Sequence, residues 1–178
     1  MALLEIDGKQ SEAYHAGYFT YCKVRWEPGE VSNYYSSGDM HHHQWLYIVS
    51  GWAIAEIRDE EDGPIIEYND TKQPGTLVDQ SHTLNKWHRL TTTDSHIECI
   101  FLNPIPDTSS LNVELIKGSD VLTKEITATD KTITVVALEG NYSVNGKVVS
   151  EMKFGRIFSG NTKTIKLNEN TVIAIVTN

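Results

Sequence analysis

Short apolar segments recur along the whole chain, and none of them repeats with the 3.6-residue period of a helix. Residues 14–26 alternate roughly between aromatic or β-branched and polar positions, residues 45–58 form a longer run, and residues 97–102 form another. Turn signals such as Pro74-Gly75 separate these segments. Short strands at regular spacing, with no helix between them, predict an all-β protein built as a sandwich or a barrel.

The second part of the chain is a weak copy of the first, with shorter connections. When Gly140 is aligned with Gly51, a short apolar run precedes both glycines, and residues 154–157 fall on residues 74–77. The apolar run at residues 172–176 then matches the last strand of the first copy. Self-similarity of this kind indicates two structural units that run through the same strand order.

We expect two domains, at residues 1–108 and 109–178. The first carries 7 Lys and Arg against 17 Asp and Glu, a net charge of −10, whereas the second carries 8 against 7, or +1. All seven His, all four Trp and both Cys precede residue 109, so any metal site is expected in the first domain. The total net charge of −9 argues against nucleic acid and anionic membranes as partners, because both attract basic surfaces.

Three adjacent imidazoles, His41, His42 and His43, stand directly before the apolar strand that begins near Trp45. Imidazole is the commonest protein ligand for transition metals, so this triplet is the best lead to function. Successive side chains of a strand point to opposite faces, so His41 and His43 share one face. His42 shares the other face with Gln44, and only one of the two sets can face the interior.

Two segments resemble the motifs of the cupin superfamily. Residues 44–51, Gln-Trp-Leu-Tyr-Ile-Val-Ser-Gly, resemble the end of the first cupin motif, and residues 87–90, Trp-His-Arg-Leu, resemble the second. The resemblance implies an antiparallel jelly-roll barrel with a metal inside, followed by a smaller degenerate cupin-like β-barrel. The expected role of the second copy is then to pack against the first barrel, to cover a sheet edge or to mediate oligomerisation. We expect a homodimer.

The cupin pattern implies a metal site, but its register does not fit the triplet. Counted back from the closing glycine, the position of the family's Glu falls on Gln44, and the family's two His fall on Gly38 and Met40. The shared face with Gln44 favours His42 as a ligand, whereas the His-x-His spacing favours His41 and His43. The metal candidates are therefore His42 and His88 first, then His41, His43 and Gln44. The metal itself stays open among iron, manganese, nickel and zinc.

The leading functional hypothesis is a metal-dependent cupin that acts on a small polar metabolite as a dioxygenase, isomerase or lyase. Glu56, on the following strand, and Tyr47, within the first motif, are the candidate catalytic residues, with Glu56 as a general base. One alternative is a non-enzymatic cupin that binds a sugar or serves as an assembly module. Another is a metal-independent sugar isomerase or epimerase with a His as acid and base.

The N-terminus and the cysteines add two expectations. Residues 1–9 contain two acids, no basic region and no long apolar run, which indicates neither a secretory signal nor a membrane span, so we expect a cytoplasmic protein. Cys22 and Cys99 are too few for a disulfide framework and are predicted to be buried, reduced thiols.

Overall fold

All regular structure in the described residues is β-strand. The computed structural model describes residues 2–6, 9–32, 44–69, 73–80, 86–106 and 109–178, and these ranges contain seventeen strands and no helix. The prediction of an all-β protein is confirmed. Within these ranges there is accordingly no helix long and apolar enough to cross a membrane. The chain divides into two compact units, Met1–Ser110 and Leu111–Asn178.

The first unit consists of two antiparallel sheets. The larger sheet has the strand order β1-β2-β3-β9-β4-β7, and the smaller has the order β6-β5-β8. The strands are β1 (Ala2–Ile6), β2 (Lys9–His15), β3 (Phe19–Trp26), β4 (Trp45–Gly51), β5 (Ile54–Arg58), β6 (Glu67–Asn69), β7 (Leu77–Asp79), β8 (Trp87–Thr91) and β9 (Ile97–Pro104).

The core of the first unit follows from the alternation along its strands. Leu46 and Ile48 of β4 lie on the same face as Cys22 of β3 and Phe101 of β9, and all four belong to one buried cluster. The ring of Trp26 meets that of Phe101 edge-on at 6.1 Å. Each large side chain buried here contributes about 1.5–3 kcal/mol to stability. This face therefore defines the interior of the first unit.

The second unit is built from two four-stranded antiparallel sheets. One has the order β10-β17-β12-β15 and the other the order β11-β16-β13-β14. A buried apolar cluster draws on strands of both sheets. The strands are β10 (Asn112–Lys117), β11 (Thr123–Ala128), β12 (Ile133–Glu139), β13 (Tyr142–Val144), β14 (Lys147–Val149), β15 (Phe154–Ile157), β16 (Asn161–Leu167) and β17 (Val172–Thr177).

The two units repeat one strand order. The run β3-β9-β4-β7 of the first unit recurs as β10-β17-β12-β15 in the second. The register of β4 against β9 shifts between Ile48 and Ser50, and that of β12 against β17 shifts at the equivalent place. Gly51 and Gly140 follow these bulges with φ of 74° and 64°, a conformation that favours glycine. The alignment of Gly140 with Gly51 is therefore correct.

The sequence alignment of residues 154–157 with residues 74–77 was wrong by three residues. Leu77 pairs with Tyr47 in the first unit, and Phe154 pairs with the equivalent residue, Val136, in the second. Phe154 thus corresponds to Leu77, although the sequence comparison placed it on the proline three residues earlier. The comparison matched glycines, but in the second unit the preceding turn has positive φ at Met152, which hides the turn from sequence.

Candidate functional site

A row of polar side chains lies on the interior face of the first unit, at the end of the apolar cluster. Gln44 and Asn103 continue the alternation of Leu46 and Phe101, so both point inward, and they are only 5% and 2% exposed. Gln44 Nε2 donates a hydrogen bond of 2.6 Å to Asn103 Oδ1. A buried amide without a partner costs about 1–3 kcal/mol, so this bond explains how two amides are tolerated here.

The backbone around Gln44 holds this row in position. The Gln44 carbonyl accepts a hydrogen bond of 3.0 Å from the backbone N–H of Gln80, directly after β7. Thr20 of β3 pairs with Asn103, and Thr20 has the same alternation as the core residue Cys22. Three neighbouring elements of the larger sheet therefore place polar residues side by side on the interior face.

The smaller sheet directs His88 to the same interior. His88 pairs with the fully buried Ile57 on β5. Two residues along β8, and therefore on the same face, Leu90 packs against the buried cluster that contains Leu46. The side chain of His88 is half-buried, and its Nδ1 atom is buried. His88, one of the two metal candidates ranked first, therefore faces the same interior as Gln44.

The His triplet lies outside the described residues. The orientation of His41, His42 and His43 therefore stays a prediction, as does the choice between the two faces. Within the described ranges, no group of three or more His, Cys, Asp and Glu side chains is arranged to hold a metal ion. Of the five predicted metal ligands, the structure places Gln44 and His88, and both face the interior.

Neither predicted catalytic residue points into the interior. Glu56 lies between Ala55 and Ile57, so its side chain is on the opposite face of β5, where Arg89 Nε donates a 2.6 Å bond to it. The register shift after Ile48 is the cause, because one extra residue exchanges the faces of all the residues that follow. Glu56, the candidate general base, therefore faces away from the interior that holds Gln44 and His88.

Tyr47 is on the wrong face of its strand for a role inside the barrel. It is fully buried, but it alternates with the core residues Leu46 and Ile48 and therefore points to the other face of β4. The apolar character of both faces of β4 hid this distinction from the sequence. Tyr47 is a packing residue of the opposite face.

Asn103 was not among the residues predicted to form the site. The apolar run predicted for this strand ended at Leu102, one residue before Asn103. The structure extends β9 to Pro104 and pairs Asn103 with Thr20. The alternation Cys99, Phe101, Asn103 could have indicated this residue, because it places Asn103 on the same face of the strand as two core residues.

The two thiols lie deeper in the same interior, where their surroundings are apolar. Cys22 and Cys99 are free and fully buried, which confirms the predicted buried, reduced state. Burial raises the pKa of Cys22 to about 11 and raises that of Cys99 as well, because the apolar surroundings disfavour a thiolate. Both thiols are therefore protonated at neutral pH.

The sequence matches no protein-family model and no curated protein. Solved structures are similar over nearly the whole chain. HutD from Pseudomonas fluorescens SBW25 superposes with a TM-score of 0.60 at 9% identity, covering 94% of this chain and 86% of HutD. Oxalate decarboxylase from Lactobacillus farciminis, solved as a formate complex, gives 0.63 at 10% identity, with 98% and 82% covered.

A third similar structure is the bacterial pirin YhhW from Escherichia coli in complex with nickel(II). Its TM-score is 0.58 at 10% identity, and the match covers 98% of this chain and 97% of the pirin. At such identities the likeness concerns the fold alone. Together with the strand order that recurs in both units, it confirms the jelly-roll prediction, and this chain has the two-barrel fold of the cupin superfamily.

Proposed function

We propose that the first unit is a metal-binding cupin barrel that acts on a small polar metabolite. The observation that supports this most directly is the buried pair of Gln44 and Asn103 in an otherwise apolar interior that also receives His88. An interior that served stability alone would favour apolar residues at these positions. Polar groups held here are therefore better explained by a ligand.

The chemistry of the donor set suits a borderline transition metal. Since Gln44 donates through Nε2 to Asn103, its Oε1 is the atom left to bind a metal, and Asn103 fixes the orientation of the amide. With His88 and His42 as the principal ligands, and His41 and His43 as the further candidates, all donors are neutral nitrogen or oxygen. Such a set fits iron, manganese, nickel or zinc better than calcium or magnesium.

A metal bound by these residues supplies a Lewis acid with positions left for an oxygen-bearing ligand. The remaining work falls to the chain itself. Leu46 and Phe101 form the apolar wall next to the polar row and keep water from the deeper interior. Asn103 holds the Gln44 amide in place through its Oδ1, and its Nδ2 is left to donate a hydrogen bond to a polar atom of the ligand. The nickel complex of the pirin and the formate complex of the oxalate decarboxylase support a small ligand of this kind.

The first experiment measures metal content in the purified full chain after reconstitution with each of the four ions. We expect about one ion per chain, and little or none in His88→Ala or His42→Ala, because three or four ligands are needed to hold a divalent ion. His15→Ala is the matched control, because His15 is exposed on β2 and should not affect occupancy.

A fourth variant, Gln44→Glu, tests the same site by gain of function. It places a carboxylate where the cupin pattern has one, so we expect tighter metal binding at unchanged stoichiometry. Absence of metal from the wild-type chain under all four conditions contradicts the proposal. In that case the buried amides favour the metal-free alternatives, a sugar-binding cupin or a sugar isomerase or epimerase, and carbohydrate ligands become the next probes.

A further inference from the structure

The second unit contains a cavity of about 390 Å³, within the roughly 300–1,000 Å³ usual for small-ligand pockets. Its floor is apolar and comes from the buried core, with Val135, Tyr142 and Ile165 each no more than 2% exposed. The Tyr142 hydroxyl is already engaged, because it donates a hydrogen bond of 2.9 Å to the Val135 carbonyl. Because Asn145 and Lys147 in the wall are exposed, the cavity opens to solvent on their side.

The cavity occupies the place in the second unit that the candidate site occupies in the first. Val144 pairs with Ile165 next to the second core, as Ala55 pairs with Leu90 next to the first. Lys163 lies two residues before Ile165 on β16, just as His88 lies two residues before Leu90 on β8. Lys163 therefore stands at the position of the inward histidine, on the face of the core residue Ile165.

Three cations and no carboxylate line this cavity. Lys163 is half-buried, and Lys147 and Arg156 stand at the exposed mouth. Lys147 alternates with Val149, which packs against the core, so Lys147 lies on the inward face of β14. In the part of the chain that the structure describes, neither lysine has a carboxylate within 4.0 Å, whereas Lys124 on β11 is 3.8 Å from Glu114.

We propose that the second unit binds an amphipathic organic monoanion, a carboxylate with an aliphatic body, without any metal. The apolar floor accepts the aliphatic part, and the ammonium groups of Lys147 and Lys163 pair with the carboxylate at the mouth. The second unit is therefore a binding domain in its own right, in which a lysine replaces the imidazole of the first unit. This inference does not depend on a metal in the first unit.

The test uses octanoate and its neutral analogue 1-octanol, titrated into the full chain and followed by amide chemical shifts in NMR spectra. Octanoate should shift amides of β12, β13 and β16 and bind roughly fivefold more tightly than 1-octanol, since two exposed ion pairs contribute modestly. The variant Lys147→Gln/Lys163→Gln should remove that difference. Lys166→Gln is the matched control, because Lys166 is exposed on the opposite face of β16.

Equal affinities for octanoate and 1-octanol would overturn the proposal, as would shifts confined to residues outside the cavity. The same holds if Lys166→Gln weakens octanoate binding as much as the double variant does, because a general effect of net charge then explains it. Unchanged amide spectra of the unliganded variants establish that the loss is one of binding and not of folding.

Discussion

The thiols show how strongly the interior of the first unit excludes charge. Cys22 and Cys99 face the same core from the adjacent strands β3 and β9. Burial is the main cause that raises the pKa of both thiols, to about 11 for Cys22 against an ordinary value of 9.0. The polar row of Gln44 and Asn103 lies on the same face of the sheet. The hydrogen bond between the two side chains therefore has to replace hydrogen bonds that water would otherwise make with them.

We expect these thiols to make the protein sensitive to alkali. A thiol whose pKa is raised by folding holds its proton longer in the native state, so stability is complete below pH 9 and falls as the pH rises towards 11. The slope is about 1.4 kcal/mol per pH unit for each such thiol. Urea unfolding at pH 8, 9 and 10 checks this, with Cys22→Ala as the variant. A slope that Cys22→Ala leaves unchanged would contradict the assignment.

The bulge within β4, between Ile48 and Ser50, determines which residues can reach the site. Up to Ile48 the even-numbered positions face inward, and after the register shift the odd-numbered Ala53 and Ala55 do. Alternation in the sequence placed Gln44 on one face with Leu46 and Ile48, and in the structure that face is the interior. The same reasoning could not predict the direction of the Glu56 side chain, because the insertion of one residue leaves no mark in the hydrophobic pattern.

Gly51 allows this bulge to form, and we expect its replacement by alanine to be severe. Its φ is 74°, and an added Cβ would lie 1.7 Å from the carbonyl oxygen of His96, so Gly51→Ala should cost about 3 kcal/mol or more. At the equivalent Gly140, with φ of 64°, the nearest contact is 3.2 Å, and Gly140→Ala should cost about 1–2 kcal/mol. Urea unfolding and soluble yield compare the two. Equal losses would show that backbone conformation alone matters and that the close approach to His96 does not.

Across the whole molecule, one strand order serves two different interiors. The first unit carries the imidazoles, the buried amides and a net charge of −10 over residues 1–108, and the second carries a cation-lined cavity and +1. The motif residues and the repeat were sufficient to predict the cupin fold. The cavity of the second unit was not predictable, because its lysines come from separate strands and acquire a shared function only through the register that brings β14 and β16 onto opposite sides of β13.

This division predicts that metal stabilises one unit only. When the metal-free chain receives the ion that it binds, amide hydrogen exchange should slow in β4, β8 and β9, by about 2.7 kcal/mol of opening free energy at a concentration one hundred times Kd. Residues 111–178 have their own core and should exchange as before, because stabilisation follows the unit that binds. His88→Ala is the control, and it should abolish the slowing. Equal slowing of exchange in both units would mean that they open together as one cooperative structure. That outcome would contradict the prediction that metal stabilises the first unit only.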